Sequence, residues 1–286
     1  MQQSNRAEAC PVVATDQAFA AAPFVKWAGG KRQLLPDILS RLPAKIGTYY
    51  EPFVGGGAVF FALANAGRFA HAVIGDMNLD LVNAYRQIRD RLPAVIDHLR
   101  LHQQQHSEKY FYEQRKLALR SPGASGAARF LYLNRTCFNG LYRVNKSGAF
   151  NVPFGDYKSP RILNVEGLEA ASSALLGVEI RHEDFAAIRL VEGDAAYFDP
   201  PYLPASESAN FRAYCREGFN VSDHERLAIS FAEGVMQGAY VLLSNSDTAE
   251  ARRIFAPWKI DSVTARRNIN SNGGKRGAVG EILVHP

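Results

Sequence analysis

Cysteine is scarce in this 286-residue chain: Cys10, Cys137 and Cys215 stand far apart and are odd in number. Such spacing builds neither a disulfide framework nor a cysteine metal site, and it suits a reducing cytoplasm. No apolar run approaches the roughly 20 residues that cross a bilayer, so no membrane partner is expected. Residues 1–22 lack a basic start and an unbroken apolar centre, because Glu8 and Asp16 interrupt them. They are expected to form a flexible tail and not a signal peptide. Internal repeats are lacking, and low complexity is confined to the Ala-rich residues 18–22. The most informative absence is acid. From Gln114 to Gly155 there is no Asp or Glu, while Arg115, Lys116, Arg120, Arg129, Arg135, Arg143 and Lys146 all occur there. Ordinary surfaces mix signs, so an acid-free stretch in a chain of net charge +5 favours a polyanion partner, DNA or RNA, over a solvated basic helix face.

What is present suggests an α/β nucleotide-binding fold. The apolar content of 47% suffices for one large core or two smaller ones. Residues 48–53 read as a strand, Val54-Gly55-Gly56-Gly57 as a turn and residues 58–66 as a helix, the opening of a βαβ unit. Phe60 stands where a dinucleotide fingerprint has its third glycine, which argues against a bound pyrophosphate and against NAD. The next apolar run ends at Asp76, about 20 residues beyond the glycines, where a ribose-binding carboxylate belongs. Residues 79–120 read as helices broken at Pro93, with Leu79, Val82, Tyr85 and Ile88 on one face. His98, His102 and His106 share a helical face; without cysteine or a carboxylate cluster, a solvated face is expected there and no metal. Further on, a hairpin turn is expected near Lys146-Ser147-Gly148, a strand over 177–180, and a mobile loop over 203–220. A helix capped by Ser222 with Glu225 should run to Met236, followed by a buried strand over 240–243 and a helix over 248–255. Two last strands, 258–263 and 281–284, flank a basic tip at 266–276 that offers a second phosphate contact.

One stretch organises the rest. After Asp194, residues 195–198 form a short apolar run that ends in Asp199-Pro200-Pro201-Tyr202. Proline cannot donate to a sheet ladder, so Asp199 falls at a strand's carboxyl end, where open α/β sheets bind ligands. The two prolines leave a stiff lip of acceptors, the Asp199 carboxylate and the Pro200 carbonyl, and Tyr202 adds a flat face. Such a lip suits an aromatic amine with two N–H donors, such as that of adenine. Near Phe138 and Asn139, arginines, asparagines and aromatics interleave; arginine reads guanine edges, and an exposed ring can fill the gap left by an extruded base.

Four motifs, in order, carry a family resemblance: Lys26-Trp27-Ala28-Gly29-Gly30-Lys31, then Glu51-Pro52-Phe53-Val54-Gly55-Gly56-Gly57, the basic segment, and Asp199-Pro200-Pro201-Tyr202. Together they resemble the Dam-type DNA adenine-N6 methyltransferases from Phe24 to Val284. The resemblance implies a Rossmann-like class I methyltransferase fold, a seven-stranded mostly parallel sheet with an inserted helical DNA-recognition domain carrying a β-hairpin. It places the catalytic domain at 23–84 and 174–286 and the recognition domain at 85–173. The implied cofactor is S-adenosyl-L-methionine, held by Trp27, Lys31, Phe53, Gly55, Asp76, Asp184, Phe185 and Asp199. The implied partner is double-stranded DNA, and a cognate restriction endonuclease acting on the same site is a further one that the resemblance admits. In relatives that read GATC, the residues matching Lys26 and Tyr157 lie near the first guanine, and those matching Leu141, Arg143 and Pro153 read later positions. The residue matching Phe138 wedges into the stack and the one matching Asn139 meets the orphaned thymine; Arg135 and Asn145 join them as expected DNA contacts. Phe138 replaces a tyrosine of some relatives, and Asp156 stands where basic residues are common.

The implied catalytic set is Asp199, Pro200, Pro201 and Tyr202. Asp199 and the Pro200 carbonyl would accept the two amine hydrogens of a flipped adenine stacked on Tyr202, and would stabilise the charge growing on its nitrogen. Cytosine-N4 and RNA methyltransferases share this chemistry, although the former more often carry Ser before Pro-Pro. A non-catalytic DNA-binding protein is the rival from another class; the acidic residue at 199 and the complete cofactor series speak against it.

Overall fold

The computed structural model describes residues 19–117, 121–204, 219–266 and 278–286. Its centre is a seven-stranded sheet of β1 (Ile46–Glu51), β2 (Phe69–Gly75), β3 (Glu179–Arg181), β4 (Ala195–Phe198), β5 (Tyr240–Ser246), β6 (Lys259–Arg266) and β7 (Ala278–His285), in the order β3-β2-β1-β4-β5-β7-β6. The pairs among β1 to β5 are parallel, and β7 runs antiparallel between β5 and β6. Chain order reverses between β1 and β4, which pair through Tyr49–Ala195 and Tyr50–Ala196. That makes their carboxyl ends the switch-point crevice of the sheet. Pro52 follows the last residue of β1 by one position, and Pro200 and Pro201 lie just beyond β4, so both central strands stop at the same rim.

Helices α1 (Leu35–Arg41), α2 (Ala58–Asn65), α3 (Leu79–Asp90), α4 (Leu92–Gln105), α5 (Glu108–Lys116), α6 (Gly123–Thr136), α7 (Val165–Leu175), α8 (Val221–Met236) and α9 (Ala249–Ile254) surround the sheet. Side chains alternate between its faces: Tyr197, Leu242 and Leu283 join one core, Phe198, Leu243, Ile282 and Val284 the other. Both faces are covered at the centre, so β4 and the first part of β5 read as continuous apolar runs. The first core continues without interruption through Tyr85, Leu99, Phe111, Leu131 and Tyr132. The helical segment after α3 thus shares a core with one face of the sheet. None of the described helices is long and apolar enough to cross a membrane.

Several local expectations are corrected. Asn220, not Ser222, caps α8: its Oδ1 accepts from the Ser222 and Asp223 amides, and Asp223 accepts from the Asn220 amide, completing the box two residues earlier than Ser222 and Glu225 would. The histidine face is solvated only in part: His98 and His106 are half-buried, and His102 is buried. His102 is only 8% exposed, stacks on Tyr132 at 4.8 Å and shares a hydrogen bond of 2.8 Å with the Tyr110 hydroxyl. The Tyr110 hydroxyl satisfies this ring and lets it enter the core, and burial, then His98 and Arg129, hold the His102 pKa down at about 4. Strand β5 continues three residues past Leu243, through Ser244, Asn245 and Ser246. The hairpin exists as a turn closed by Asn145 and Ala149, with two isolated antiparallel bridges, Val144–Phe150 and Cys137–Phe154, in place of full strands. Most of the expected loop at 203–220 and nearly all of the basic tip at 266–276 lie outside the described residues.

Candidate active site

The rim of β1 and β4 gathers a buried polar cluster. Asp199, one residue beyond β4, pairs through Oδ2 with Lys31 Nζ at 2.8 Å and accepts at Oδ1 from Ser244 Oγ at 2.8 Å. Behind Ser244 lies the Tyr197 hydroxyl, also at 2.8 Å. The Lys31 ammonium further donates to the Gly29 carbonyl at 2.6 Å and lies 4.8 Å from the centre of the Tyr202 ring. The lip therefore offers acceptors, as the prolines dictate, but neither oxygen of Asp199 is bare. Tyr202 donates its hydroxyl to Glu281 Oε2 at 2.7 Å, which fixes the ring plane. Burial, then the nearby Asp199 charge, raises the Tyr202 phenol well above its ordinary range, so it stays a donor. At the end of β1, Glu51 is 3% exposed and accepts from Tyr49 Oη at 2.8 Å. Burial pushes its carboxyl up to about 8, against the Tyr49 bond, with Asp199 adding to the rise. A neutral Glu51 leaves one ammonium facing one carboxylate.

Beside this cluster the glycine-rich turn bends sharply. Gly55 and Gly57 have φ of +47° and +72°, and a Cβ would come within 2.6 Å of the Trp27 ring at Gly55 and of the Tyr85 hydroxyl at Gly57. The Gly55 amide donates to Asp76 Oδ2 at 3.2 Å, so the turn and the carboxylate at the end of β2 form one unit. Burial raises the Asp76 pKa. Phe53, Phe185 and Phe219 make a triangle of rings with centres 5.5 to 5.7 Å apart. Asp184 caps the short turn at Phe185 through the Ala186 amide and pairs with Arg226 at 2.8 Å, and Arg226 covers the Phe185 ring at 5.0 Å.

The basic segment forms an adjoining face. Lys26 Nζ meets Tyr157 at its hydroxyl (3.4 Å) and over its ring (4.6 Å), so these two expected contacts come together. Phe138 is 51% exposed, and its neighbour Asn139 is the one described non-glycine residue with positive φ, +55°. Exposed Arg143 donates to the Asn151 side chain at 2.6 Å, while Pro153 is exposed and Leu141 half-buried. Asn145 Oδ1 is committed to the turn, accepting from the Ser147 and Ala149 amides. Arg135 points elsewhere: it donates to the Phe24 carbonyl at 2.6 Å and lines a small cavity with Leu131, Ile162 and Leu168. Trp27 joins the two faces, packed against Gly55 on one side and stacked on Tyr142 at 5.4 Å on the other. Cys137 is buried, its thiol pushed up to about 11 by desolvation, so it is structural.

A family model described as D12 class N6 adenine-specific DNA methyltransferase matches residues 27–269. The chain belongs to this family. It is 41% identical over 276 residues to a Type II methyltransferase, M1.LlaDCHI, of Lactococcus lactis subsp. cremoris, covering 92% of this chain and 94% of the relative. A Type II methyltransferase of Methanocaldococcus jannaschii, M.MjaIII, is 38% identical over 282 residues, 92% of this chain and 98% of its own. The DNA adenine methylase of Escherichia coli strain K12 is 37% identical over 268 residues, with 91% and 94% covered.

Membership implies a DNA substrate and S-adenosylmethionine as methyl donor. The residues present fit a nucleoside without phosphates: a carboxylate on the glycine turn for ribose hydroxyls, aromatic rings and Asp184 for a base, and Arg226 already neutralised by Asp184 and Asp223. Sequence reasoning missed Ser244, Glu281, Glu51, Phe219 and Arg226. Only Ser244-Asn245-Ser246 left a signal, three polar residues directly after an apolar strand pattern.

Proposed function

We propose that this protein transfers a methyl group from S-adenosylmethionine to the N6 amine of an adenine flipped out of duplex DNA, with GATC as the target sequence. One observation carries the reading: the Lys31 ammonium sits against Asp199 Oδ2 and over the Tyr202 ring, the two surfaces an extruded aminopurine would use. A nitrogen bearing N–H donors already fits there. The incoming base displaces Lys31, stacks on Tyr202 and offers its amine hydrogens to Asp199 Oδ2 and the Pro200 carbonyl. S-adenosylmethionine, when bound, supplies an electrophilic methyl group; Trp27, Lys31, Phe53, Gly55, Asp76, Asp184, Phe185 and Asp199 would hold it. The adenine amine is a poor nucleophile because its lone pair is delocalised into the ring. Two acceptors on its hydrogens draw the nitrogen toward tetrahedral geometry, and Asp199 stabilises the positive charge that grows there as the methyl–sulfur bond breaks. The donor would leave as a neutral thioether, and one amine hydrogen would depart as a proton to solvent. Pro201 stiffens the lip, and alignment of the reactants contributes much of the remaining acceleration.

Residues 23–84 and 174–286 serve as the catalytic part and 85–173 as the DNA reader. Phe138 fills the vacated stack, Asn139 meets the orphaned base, Lys26 and Tyr157 read one end of the site, and Leu141, Arg143 and Pro153 read the other. The name Type II methyltransferase on two relatives supports a cognate restriction endonuclease as a partner. The test is to incubate the protein with unmethylated plasmid and S-adenosylmethionine and to map modified bases. N6-methyladenine confined to GATC is expected. Methylation at another adenine site would discard GATC and keep the reaction; N4-methylcytosine, or no modification, would overturn the reading.

A further inference from the structure

Strand β5 ends in an arrangement that the fold alone does not require. After Tyr240-Val241-Leu242-Leu243 come Ser244, Asn245 and Ser246, all at most 1% exposed. Buried hydroxyl and amide groups are costly unless partnered, and the oxygens of these three turn to the segment that follows β4, while Asn245 Nδ2 is buried without a partner among the described residues. Ser244 donates to Asp199, Asn245 Oδ1 accepts from the Leu203 amide at 3.2 Å, and Ser246 donates to the Leu203 carbonyl at 2.6 Å. Glu281, paired in register with Ser246 on the neighbouring β7, accepts from Tyr202. Pro200 and Pro201 strip this segment of two backbone donors, so ladder bonds cannot hold it. Side chains beneath it do so instead, at Asp199, Tyr202 and Leu203.

The direction of the bonds at Asp199 is fixed. A carboxylate paired with Lys31 only accepts, so the single hydroxyl hydrogen of Ser244 goes to Oδ1. Tyr197 must then donate to Ser244. This one-way chain, from Tyr197 through Ser244 to Asp199, sets the rotation of the carboxylate and leaves Oδ2 facing the pocket. We propose that Ser244 and Glu281 are positioning residues for methyl transfer, Ser244 orienting the Asp199 carboxylate and Glu281 the Tyr202 ring. The inference rests on the reading of Asp199 and Tyr202 given under Proposed function.

The test is single-turnover methylation of a duplex whose target has been mapped with the wild-type protein, run beside binding measurements for S-adenosylmethionine and DNA and thermal melts. Ser244→Ala should slow transfer on the order of 10- to 100-fold, the range of a hydrogen bond to a charged group, with both affinities within about threefold of wild type. Ser244→Thr, which keeps the hydroxyl, should recover most of the rate. Tyr197→Phe keeps the ring volume and should slow transfer several-fold. Glu281→Leu should slow it about tenfold, while Glu281→Gln, still an acceptor for Tyr202, should stay near wild type. A wild-type rate in both Ser244→Ala and Tyr197→Phe would overturn the role of Ser244, and so would slowing matched by an equal loss of cofactor affinity. If Ser244→Ala fails to fold, Tyr197→Phe decides. A wild-type rate in Glu281→Leu would overturn the role of Glu281. Absence of transfer by the wild-type protein would instead end the reading on which both rest.

Discussion

Replacing Glu51 with Gln tests the electrostatics of the cluster at the sheet's rim. The carboxyl titrates at about 8 in the folded chain, because burial outweighs the Tyr49 hydrogen bond, against 4.5 when free. Between those values the unfolded chain has lost this proton and the folded chain still holds it. Stability therefore falls as pH rises from 4.5 to 8 and levels off above, and the difference between these pKa values corresponds to about 5 kcal/mol at most. Buried imidazoles act in the opposite sense over a lower window. His102, held at about 4 by burial, adds stability as pH rises from 4 to 6.5. From pH 6.5 to 8 only the Glu51 contribution remains among these, with a slope approaching 1.4 kcal/mol per pH unit.

Gln keeps the shape of the neutral acid and a partner for Tyr49 Oη, and it cannot ionise. Reorganised hydrogen bonds will shift the variant by about 1 kcal/mol at every pH, so the slope is the observable and not the level. Urea unfolding of both proteins from pH 5 to 9 should show wild type falling between 6.5 and 8 while Glu51→Gln stays flat. The gap between them should widen by about 2 kcal/mol over that interval. A flat or rising wild-type curve, or an equal fall in the variant, would refute the assignment of a neutral Glu51. That assignment matters for the chemistry. An ionised Glu51 would compete with Asp199 for Lys31, whereas a neutral one leaves the Lys31 ammonium to Asp199.

Asp199→Ala should keep most of its S-adenosylmethionine affinity, because seven other residues of the proposed cofactor set remain, and should transfer no methyl group; titration calorimetry paired with a radiolabel assay checks both halves, and turnover in the variant would refute the role. Arg143→Ala should cost about 1–3 kcal/mol of discrimination at one base position, measured on a panel of single-substitution duplexes. Uniform weakening on all of them would make Arg143 a phosphate contact. His102 should remain neutral down to about pH 4 in an NMR titration of its ring; a midpoint near 6.5 would contradict its packing against Tyr110 and Tyr132.

The backbone of the site was legible because its signals are local. Pro200 and Pro201 had to end a strand, the glycine triplet had to turn, and Asp76 followed at the spacing a βαβ unit sets, all of which the sheet realises. What could not be read depends on contacts far apart in sequence. Ser244 lies 45 residues from Asp199 and Glu281 lies 79 from Tyr202, so no periodicity or spacing connects them. The histidine face failed for the same reason, since Tyr110 and Tyr132 lie on helices α5 and α6 while His102 lies on α4. The same contrast explains why the lip looked simpler in sequence than it is. Asp-Pro-Pro-Tyr supplies the acceptor and the flat face, but a carboxylate at the end of a strand can rotate, and two prolines give the sheet nothing to hold. The antiparallel pair β5 and β7 supplies that hold through Ser244, Asn245, Ser246 and Glu281. An intact Asp-Pro-Pro-Tyr on a chain without those four side chains would keep the acceptor and lose its aim.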